Sequence, residues 1–169
     1  MFSRKRSLAS SFVLAILLFI VFGCKQDLQP KIGFYYWKNS FKLSPILKSY
    51  LDSTQASRLY VKFLDIGLDQ TIQVVPLTKL QGLEHLGIKQ EIVPCIYLVN
   101  AVFQEKDTLS VKIVAKNTAH LLREMLSIAS LQAKEIQLDC DWSASSKSGY
   151  FAFVKYFKQY FPQTVISVT

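Results

Sequence analysis

The chain is poor in the residues that most often build cofactor and metal sites. Its 169 residues include six glycines, two histidines and three cysteines. Neither GxGxxG nor a Walker motif follows any strand-like run, which argues against a nucleotide-binding fold. His85 and His120 stand alone, with no second ligand at metal spacing, and this favours helix-surface or packing roles. We therefore expect no cofactor and assign no metal ligand.

Acidic residues are also scarce, with twelve against twenty lysines and arginines and a formal net charge of +8. Arg4, Lys5 and Arg6 lie together near the N-terminus, while the other cations are spread along the sequence. Such spreading is typical of solvated faces. A nucleic-acid surface instead needs its cations in a basic patch or stripe. We expect no nucleic-acid partner.

The position of Cys24 is the strongest indication of where the protein resides. A basic segment (residues 4–6), an apolar segment (11–22) and the small Gly23 precede it. The pattern resembles the lipobox of bacterial lipoproteins, although Phe22 is bulkier than the residue usual there. It predicts a signal peptide over 1–23, a tether lipidated on Cys24 over 24–31, and a protein anchored to a bacterial membrane, facing the periplasm or the cell surface. The alternative is an uncleaved anchor, but the apolar run is shorter than the roughly 18–20 residues that span a bilayer.

The other two cysteines lie inside apolar, strand-like runs. Cys95 and Cys140 have no metal-binding or redox spacing around them, which favours buried free thiols. A disulfide between them stays open as the alternative, because exported proteins form such bonds.

Residues 32–169 alternate strand-like and helical patterns, which is typical of a parallel α/β sheet. A short extra strand at 72–75 and a weak helical turn at 77–85 interrupt the alternation. Main strands are predicted over 32–37, 58–66, 91–100, 135–142 and 163–169, and helices from Ser44 and Pro45 to about 53, over 110–131 and over 150–161.

The pattern predicts a partial (β/α)-barrel-like sheet of about five strands. A whole barrel has eight strands in roughly 200–250 residues. We therefore expect the front half of a barrel, produced by a truncated or frameshifted gene or present as an open sheet that closes by association.

Strand alternation selects the candidate catalytic residues. In the run EIQLDCDW, Gln137, Asp139 and Asp141 share one face, and apolar residues occupy the other. The two carboxylates, about 6.6 Å apart at Cα, would lie near the carboxyl end of the strand and could act as acid and base or hold a cation. Lys62 interrupts a second apolar run, so Asp139 is its expected counter-ion if it points inward. That pair either fixes the strand register alone, takes part in substrate binding or catalysis, or belongs to a metal site.

Three further residues end predicted strands. Trp37 and Trp142 could stack on sugar rings, or could close the core as packing residues. Asn100 could donate a hydrogen bond to a ligand, or could serve as a turn residue alone.

The runs FYYW, LYVKFLD and QLDCDW resemble a family of exported bacterial lipoproteins with a glycoside-hydrolase-like (TIM-type) barrel, over its N-terminal half only. More distantly, Asp139 and Asp141 are similar to the fourth-strand motif DxxDxDxE of family 18 glycoside hydrolases. The resemblance implies that the final Glu donates a proton and that the Asp before it assists an acetamido group. Ser143 and Ile136 occupy the positions of that Glu and of the first Asp, so chitinase chemistry is not implied.

Two functions follow as hypotheses. The first is a carbohydrate-binding or carbohydrate-processing lipoprotein, with Asp139 and Asp141 as carboxylates, Lys62 tuning them, and Trp37, Trp142 and Asn100 contacting the ligand. The second is a non-catalytic envelope lipoprotein or a barrel remnant without activity of its own.

Overall fold

The computed structural model describes residues 31–104 and 107–169. The predictions of a signal peptide over 1–23, a lipid on Cys24 and most of the tether over 24–31 concern residues outside that part of the chain. Across the described residues, no helix combines the length and apolar character that crossing a bilayer requires.

The described residues form six strands and three α-helices. The strands are β1 (Gly33–Tyr36), β2 (Arg58–Leu68), β3 (Val74–Lys79), β4 (Glu91–Leu98), β5 (Glu135–Asp139) and β6 (Val165–Val168). The helices are α1 (Pro45–Ser53), α2 (Thr108–Ile128) and α3 (Lys147–Tyr160), and short 3-10 turns cover Leu83–His85 and Asn100–Phe103.

Side-chain caps explain where the first two helices begin. Ser44 accepts a hydrogen bond at Oγ from the N–H of Leu47 (3.2 Å), and Pro45 starts α1 as the sequence predicts. Asp107 accepts from the N–H groups of Leu109 and Ser110, so α2 begins two residues before the predicted start.

The expected α/β fold with five parallel strands is confirmed. The strands β1, β2, β4, β5 and β6 lie side by side in that order, and every neighbouring pair is parallel. Two connections carry the crossover helices α2 and α3, which pack against each other over the sheet. This arrangement places all five strand ends at one edge of the molecule.

The connection between β2 and β4 differs from the prediction. The extra strand lies at Val74–Lys79 rather than 72–75, and the helical turn shrinks to Leu83–His85. The reason is pairing: β3 runs antiparallel along the second half of β2, from Leu64 to Leu68, while β1 covers only the first half of the same edge. The strand therefore satisfies backbone groups of β2 that β1 leaves free.

The two faces of the sheet differ in chemistry. Residues paired in register on neighbouring strands project to the same face. The outer face packs under the helices, and its fully buried residues include Leu59, Val61, Ile96, Ile136 and Leu138. The inner face, on the other side of the sheet, carries Tyr35, Tyr60, Lys62, Gln137 and Asp139.

A β-bulge in β2 changes the predicted alternation. The register with β4 shifts between Lys62 and Leu64, so Phe63 and Leu64 both lie in the outer core. Asp65 pairs with Tyr97 and consequently lies on the same inner face as Lys62, whereas uninterrupted alternation would have separated the two.

One long-range hydrogen bond shows that the sheet is curved. The side-chain amide of Gln137 on β5 donates to the hydroxyl of Tyr35 on β1 (2.9 Å). Strands β2 and β4 lie between them, and a flat sheet would hold the two backbones about 14 Å apart. The inner face is therefore concave, as in the wall of a barrel.

The two described cysteines are free thiols, as favoured from the sequence. Cys95 lies on the inner face, paired with Gln137, whereas Cys140 lies in the outer core. Their positions on opposite faces explain why no disulfide joins them. Burial, followed by the charge of Asp139, raises the pKa of the Cys95 thiol, and burial raises that of Cys140 to about 11.

Candidate functional site

The concave inner face has an opening where the strands end. It encloses about 410 Å³ and is lined by Tyr35, Trp37, Gln137, Asp139 and Thr169. We call it the inner-face opening. Its residues come from β1, from β5 and from the segment after β6, so it depends on the curvature of the sheet. Two of the predicted site residues, Trp37 and Asp139, meet here.

Asp139 is the last residue of β5 and is partly exposed at the inner-face opening. Its Oδ1 accepts a hydrogen bond from the hydroxyl of Thr169 (2.6 Å), and its register partner on β4 is Tyr97. Burial of Tyr97, followed by the negative charges of Asp141 and Asp139, raises the pKa of the Tyr97 phenol. The charges of both predicted carboxylates therefore act on the Tyr97 phenol.

Asp141 does not continue the strand as predicted. The strand ends at Asp139, and the N–H of Trp142 donates back to the carbonyl of Cys140 (2.8 Å), which bends the chain. Asp141 is exposed beyond this bend and does not line the inner-face opening. The geometry therefore separates a carboxylate at the opening, Asp139, from one on its rim, Asp141.

The predicted ion pair between Lys62 and Asp139 is wrong. The ammonium of Lys62 donates to Oδ2 of Asp65 (2.7 Å), and the hydroxyl of Thr78 donates to the same oxygen. The bulge at Phe63 is the cause, because it brings Asp65 onto the face of Lys62. The Lys62 ammonium also lies 6.0 Å from the centre of the Trp37 ring. Lys62 thus remains beside the opening, with a different partner.

Aromatic side chains at the end of β1, together with Tyr60 of β2, form a platform. Trp37 is 42% exposed and meets Tyr35 edge to face, with 5.7 Å between ring centres. Tyr35 in turn stacks on Tyr60 at 4.9 Å. The stack supports the indole beside the opening, and the exposed part of its surface can contact a ligand.

Trp142 lies apart from this platform. It is 41% exposed, meets Phe151 of α3 edge to face at 5.6 Å, and lies 5.6 Å below the ammonium of Lys147. These contacts support the packing role, which is one of the two roles that the sequence leaves open for Trp142. Trp142 is not among the residues that line the inner-face opening.

Asn100 is also separate from the opening. It begins the 3-10 turn after β4, and its amide donates to the hydroxyl of Ser143 (3.4 Å). Its carbonyl oxygen is buried without a partner among the described residues. Ser143, where the family 18 motif has its proton donor, contacts the hydroxyls of Ser145 and Ser146. This cluster is a hydroxyl network, with no carboxylic acid in it.

Sequence reasoning missed several residues that shape the site. Gln137 was placed on the correct face, but its double role was not predicted: it donates to Tyr35 and accepts from the thiol of Cys95 (3.2 Å). Tyr35 and Tyr97 were visible only as strand residues. The alternation of FYYW could have selected Tyr35 with Trp37, because both lie two residues apart on one face.

No protein-family model and no curated protein sequence matches the chain. Among solved structures, it is similar to the spore cortex-lytic enzyme SleL of Bacillus megaterium QM B1551, with a TM-score of 0.50 and 15% sequence identity. The match covers 83% of this chain and 35% of that one, so the chain spans about a third of the length of SleL. At this identity the likeness supports the barrel-like fold alone.

Proposed function

We propose that the inner-face opening binds carbohydrate, in an exported protein held at a bacterial membrane by a lipid on Cys24. The observation that carries the proposal is the half-exposed Trp37 beside Asp139 over a concave surface. An indole face stacks on the apolar face of a sugar ring, and carboxylate and amide oxygens accept hydrogen bonds from its hydroxyls. Gln137 and Thr169 add amide and hydroxyl groups to the same opening.

Two resemblances support a sugar as the ligand. The solved structure of similar fold is a spore cortex-lytic enzyme, and the DxD of β5 is similar to the motif of family 18 glycoside hydrolases. Hydrolysis is the second candidate activity. It would use Asp141 on the rim and Asp139 as the carboxylate pair, since Ser143 cannot donate a proton to a glycosidic oxygen at neutral pH. The non-catalytic envelope lipoprotein is the alternative if no turnover is found.

The two tryptophans provide a matched test of binding. Both are about equally exposed at strand ends, but only Trp37 lines the opening. We expect Trp37→Ala to weaken binding of N-acetylated and neutral oligosaccharides by roughly three- to tenfold, from lost stacking, and Trp142→Ala to leave it unchanged. Calorimetry on the detergent-solubilised chain measures both. Absence of binding by the unmodified chain, or equal losses in both variants, would contradict the proposal.

The anchor and the catalytic alternative need separate measurements. Incorporation of labelled palmitate in a bacterial host should occur in the unmodified chain and disappear in Cys24→Ser. If the chain also releases reducing ends from an oligosaccharide, Asp141→Asn should abolish this turnover while circular dichroism stays unchanged. Unchanged turnover would remove Asp141 from the mechanism, and labelling of Cys24→Ser would remove the lipid anchor.

A further inference from the structure

Five exposed cations lie at the end of the sheet where the parallel strands begin. We call this the strand-start end, and it is defined by the first residues of β1, β2, β4, β5 and β6. Lysines lie one or two residues before three of these strands, at Lys31, Lys89 and Lys134, and all three are exposed. The sequence spreads these residues over a hundred positions, but the parallel topology brings them to one end.

The crossover helices add two more cations to the same end. Each helix returns from the strand ends to the next strand start, so the last turns of α2 and α3 lie there. Arg123 of α2 donates to the carbonyl of Tyr160, and Lys158 of α3 donates to the carbonyl of Thr164 (2.6 Å), directly before β6. Both side chains are exposed.

Most acidic side chains at this end are already paired. Arg58 contacts Glu91 (3.3 Å) and Glu135 (2.8 Å), and Asp52 pairs with Lys48 on α1. Since the one guanidinium of Arg58 serves two carboxylates, this leaves one negative charge of that cluster and Glu124 against the five exposed cations among the described residues of the strand-start end. The surface is therefore net positive.

Aliphatic side chains are exposed between the cations. Ile32 before β1 is 44% exposed, Ile128 at the end of α2 is 64% exposed, and Val165 at the start of β6 is 59% exposed. Lysines and arginines around exposed aliphatic groups are typical of surfaces that lie on anionic lipid headgroups. A nucleic-acid surface would not need the aliphatic groups, and phosphate contacts alone would suffice for it.

We propose that the strand-start end docks on an anionic membrane surface, so that the inner-face opening points away from the bilayer. The inference extends the proposed membrane anchor, because the chain enters the described domain at Lys31, on the β1 side of this surface. The lipid would hold the protein at the membrane, and the cations would set its orientation. Each cation near an anionic surface contributes about 1 kcal/mol, or roughly a fivefold change in the docked-to-undocked ratio.

The natural tryptophans allow a direct test. Trp37 and Trp142 are the two tryptophans of the chain, and both lie at the opposite end of the sheet. The full chain is reconstituted in vesicles of phosphatidylglycerol that contain a headgroup-spin-labelled quencher lipid. We expect little quenching of the natural tryptophans and strong quenching of Ile128→Trp placed in a Trp37→Phe/Trp142→Phe background. Val165→Trp in the same background replaces it if circular dichroism shows that the first variant does not fold.

Charge variants separate docking from simple anchoring. Lys89→Glu/Lys134→Glu should reduce the docked-to-undocked ratio at least twenty-fivefold, as should replacing the anionic lipid by phosphatidylcholine. The matched control, Lys38→Glu/Lys42→Glu, reverses the charge of two exposed lysines after β1 and should keep the quenching.

Three outcomes would overturn the inference. They are quenching of the natural tryptophans instead, absence of quenching at both ends, and quenching that is independent of charge. Loss of palmitate labelling or of sugar binding with the quenching pattern intact would contradict only the proposed function.

Discussion

The outer and inner faces of the sheet are stabilised in different ways. The outer face is an apolar layer in which Phe153, Phe157 and Phe103 stack beneath the crossover helices. The inner face holds its groups through hydrogen bonds and ion pairs, such as Gln137 to Tyr35 and Arg58 to Glu135. The comparison teaches that most of the stability should come from the apolar outer face, whereas the proposed ligand contacts lie on the inner face.

The sharpest test of this division is a substitution that creates a large cavity on the outer face. Phe153 is fully buried between Phe103 and Phe157. We expect Phe153→Ala to lower the free energy of unfolding by about 3–5 kcal/mol, from lost burial and the cavity left behind. Denaturant unfolding followed by circular dichroism measures the loss. Sugar affinity in the remaining folded protein should not change, and a changed affinity would break the comparison.

The inner-face ion pairs should matter less, because water reaches them in part. Arg58→Met removes the shared partner of Glu91 and Glu135 and should lower the free energy of unfolding by about 2 kcal/mol. Adding Glu135→Gln should recover part of that loss, because one uncompensated carboxylate disappears. If the double variant is less stable than Arg58→Met alone, the carboxylates do not repel each other as the geometry requires.

The link between β1 and β5 should have a smaller effect on stability. Gln137→Leu removes the hydrogen bond to Tyr35, and we expect a loss of about 1 kcal/mol in denaturant unfolding. Tyr35→Phe is the matched control, since it removes the same hydrogen bond and keeps the aromatic stack. Similar losses would support a role in holding the curvature. A loss only in Gln137→Leu would assign the effect to the contact with Cys95 instead.

At neutral pH the buried thiols have the smallest effect on stability, and the sign of their effect at higher pH can be worked out. Burial raises the pKa of the Cys140 thiol to about 11, from an ordinary value of about 9. Below pH 9 the thiol is protonated in both states. Between pH 9 and about 11 the unfolded chain releases the proton while the folded one keeps it, so this group lowers the free energy of unfolding by roughly 1.4 kcal/mol per pH unit at most.

Comparing the two cysteine variants sharpens the contrast between faces. Cys140→Ala should make the dependence of stability on pH less steep above pH 9, as measured by denaturant unfolding at a series of pH values. Cys95→Ala should do the same on the inner face. The part of the slope that this variant removes should extend to higher pH, because burial raises the pKa of the Cys95 thiol further than that of Cys140. An unchanged slope in both variants would show that neither thiol is linked to folding.

Local patterns in the sequence predict much of the fold. The start of α1 follows from Ser44 and Pro45, and the five parallel strands follow from their apolar runs. The pairing of β3 with β2 does not, because it depends on which backbone groups β1 leaves free. The bulge at Phe63 is likewise invisible in a run of apolar residues that would fit uninterrupted alternation.

The sequence predicts less of the site than of the fold. Strand alternation selects Asp139 near the carboxyl end of its predicted strand, and Trp37 ends the first predicted strand. Parallel strand ends meet at one edge, and both residues line the opening there. The predicted partner of Lys62 and the predicted strand position of Asp141 are wrong, since each depends on a local departure from regular strand geometry. The contact between Tyr35 and Gln137 joins residues 102 positions apart and depends on curvature, which no local pattern encodes.

The bulge in β2 also determines where this strand tolerates a change of length. Phe63 and Leu64 are successive residues on one face, so loss of Phe63 would leave Lys62 and Asp65 on their present side at the expense of one buried ring. Gain of a single residue just after Leu64 would do the opposite, because it would rotate Asp65 and its carboxylate into the apolar layer. Natural length variants of this strand should therefore be shortened at position 63 and seldom lengthened beyond it.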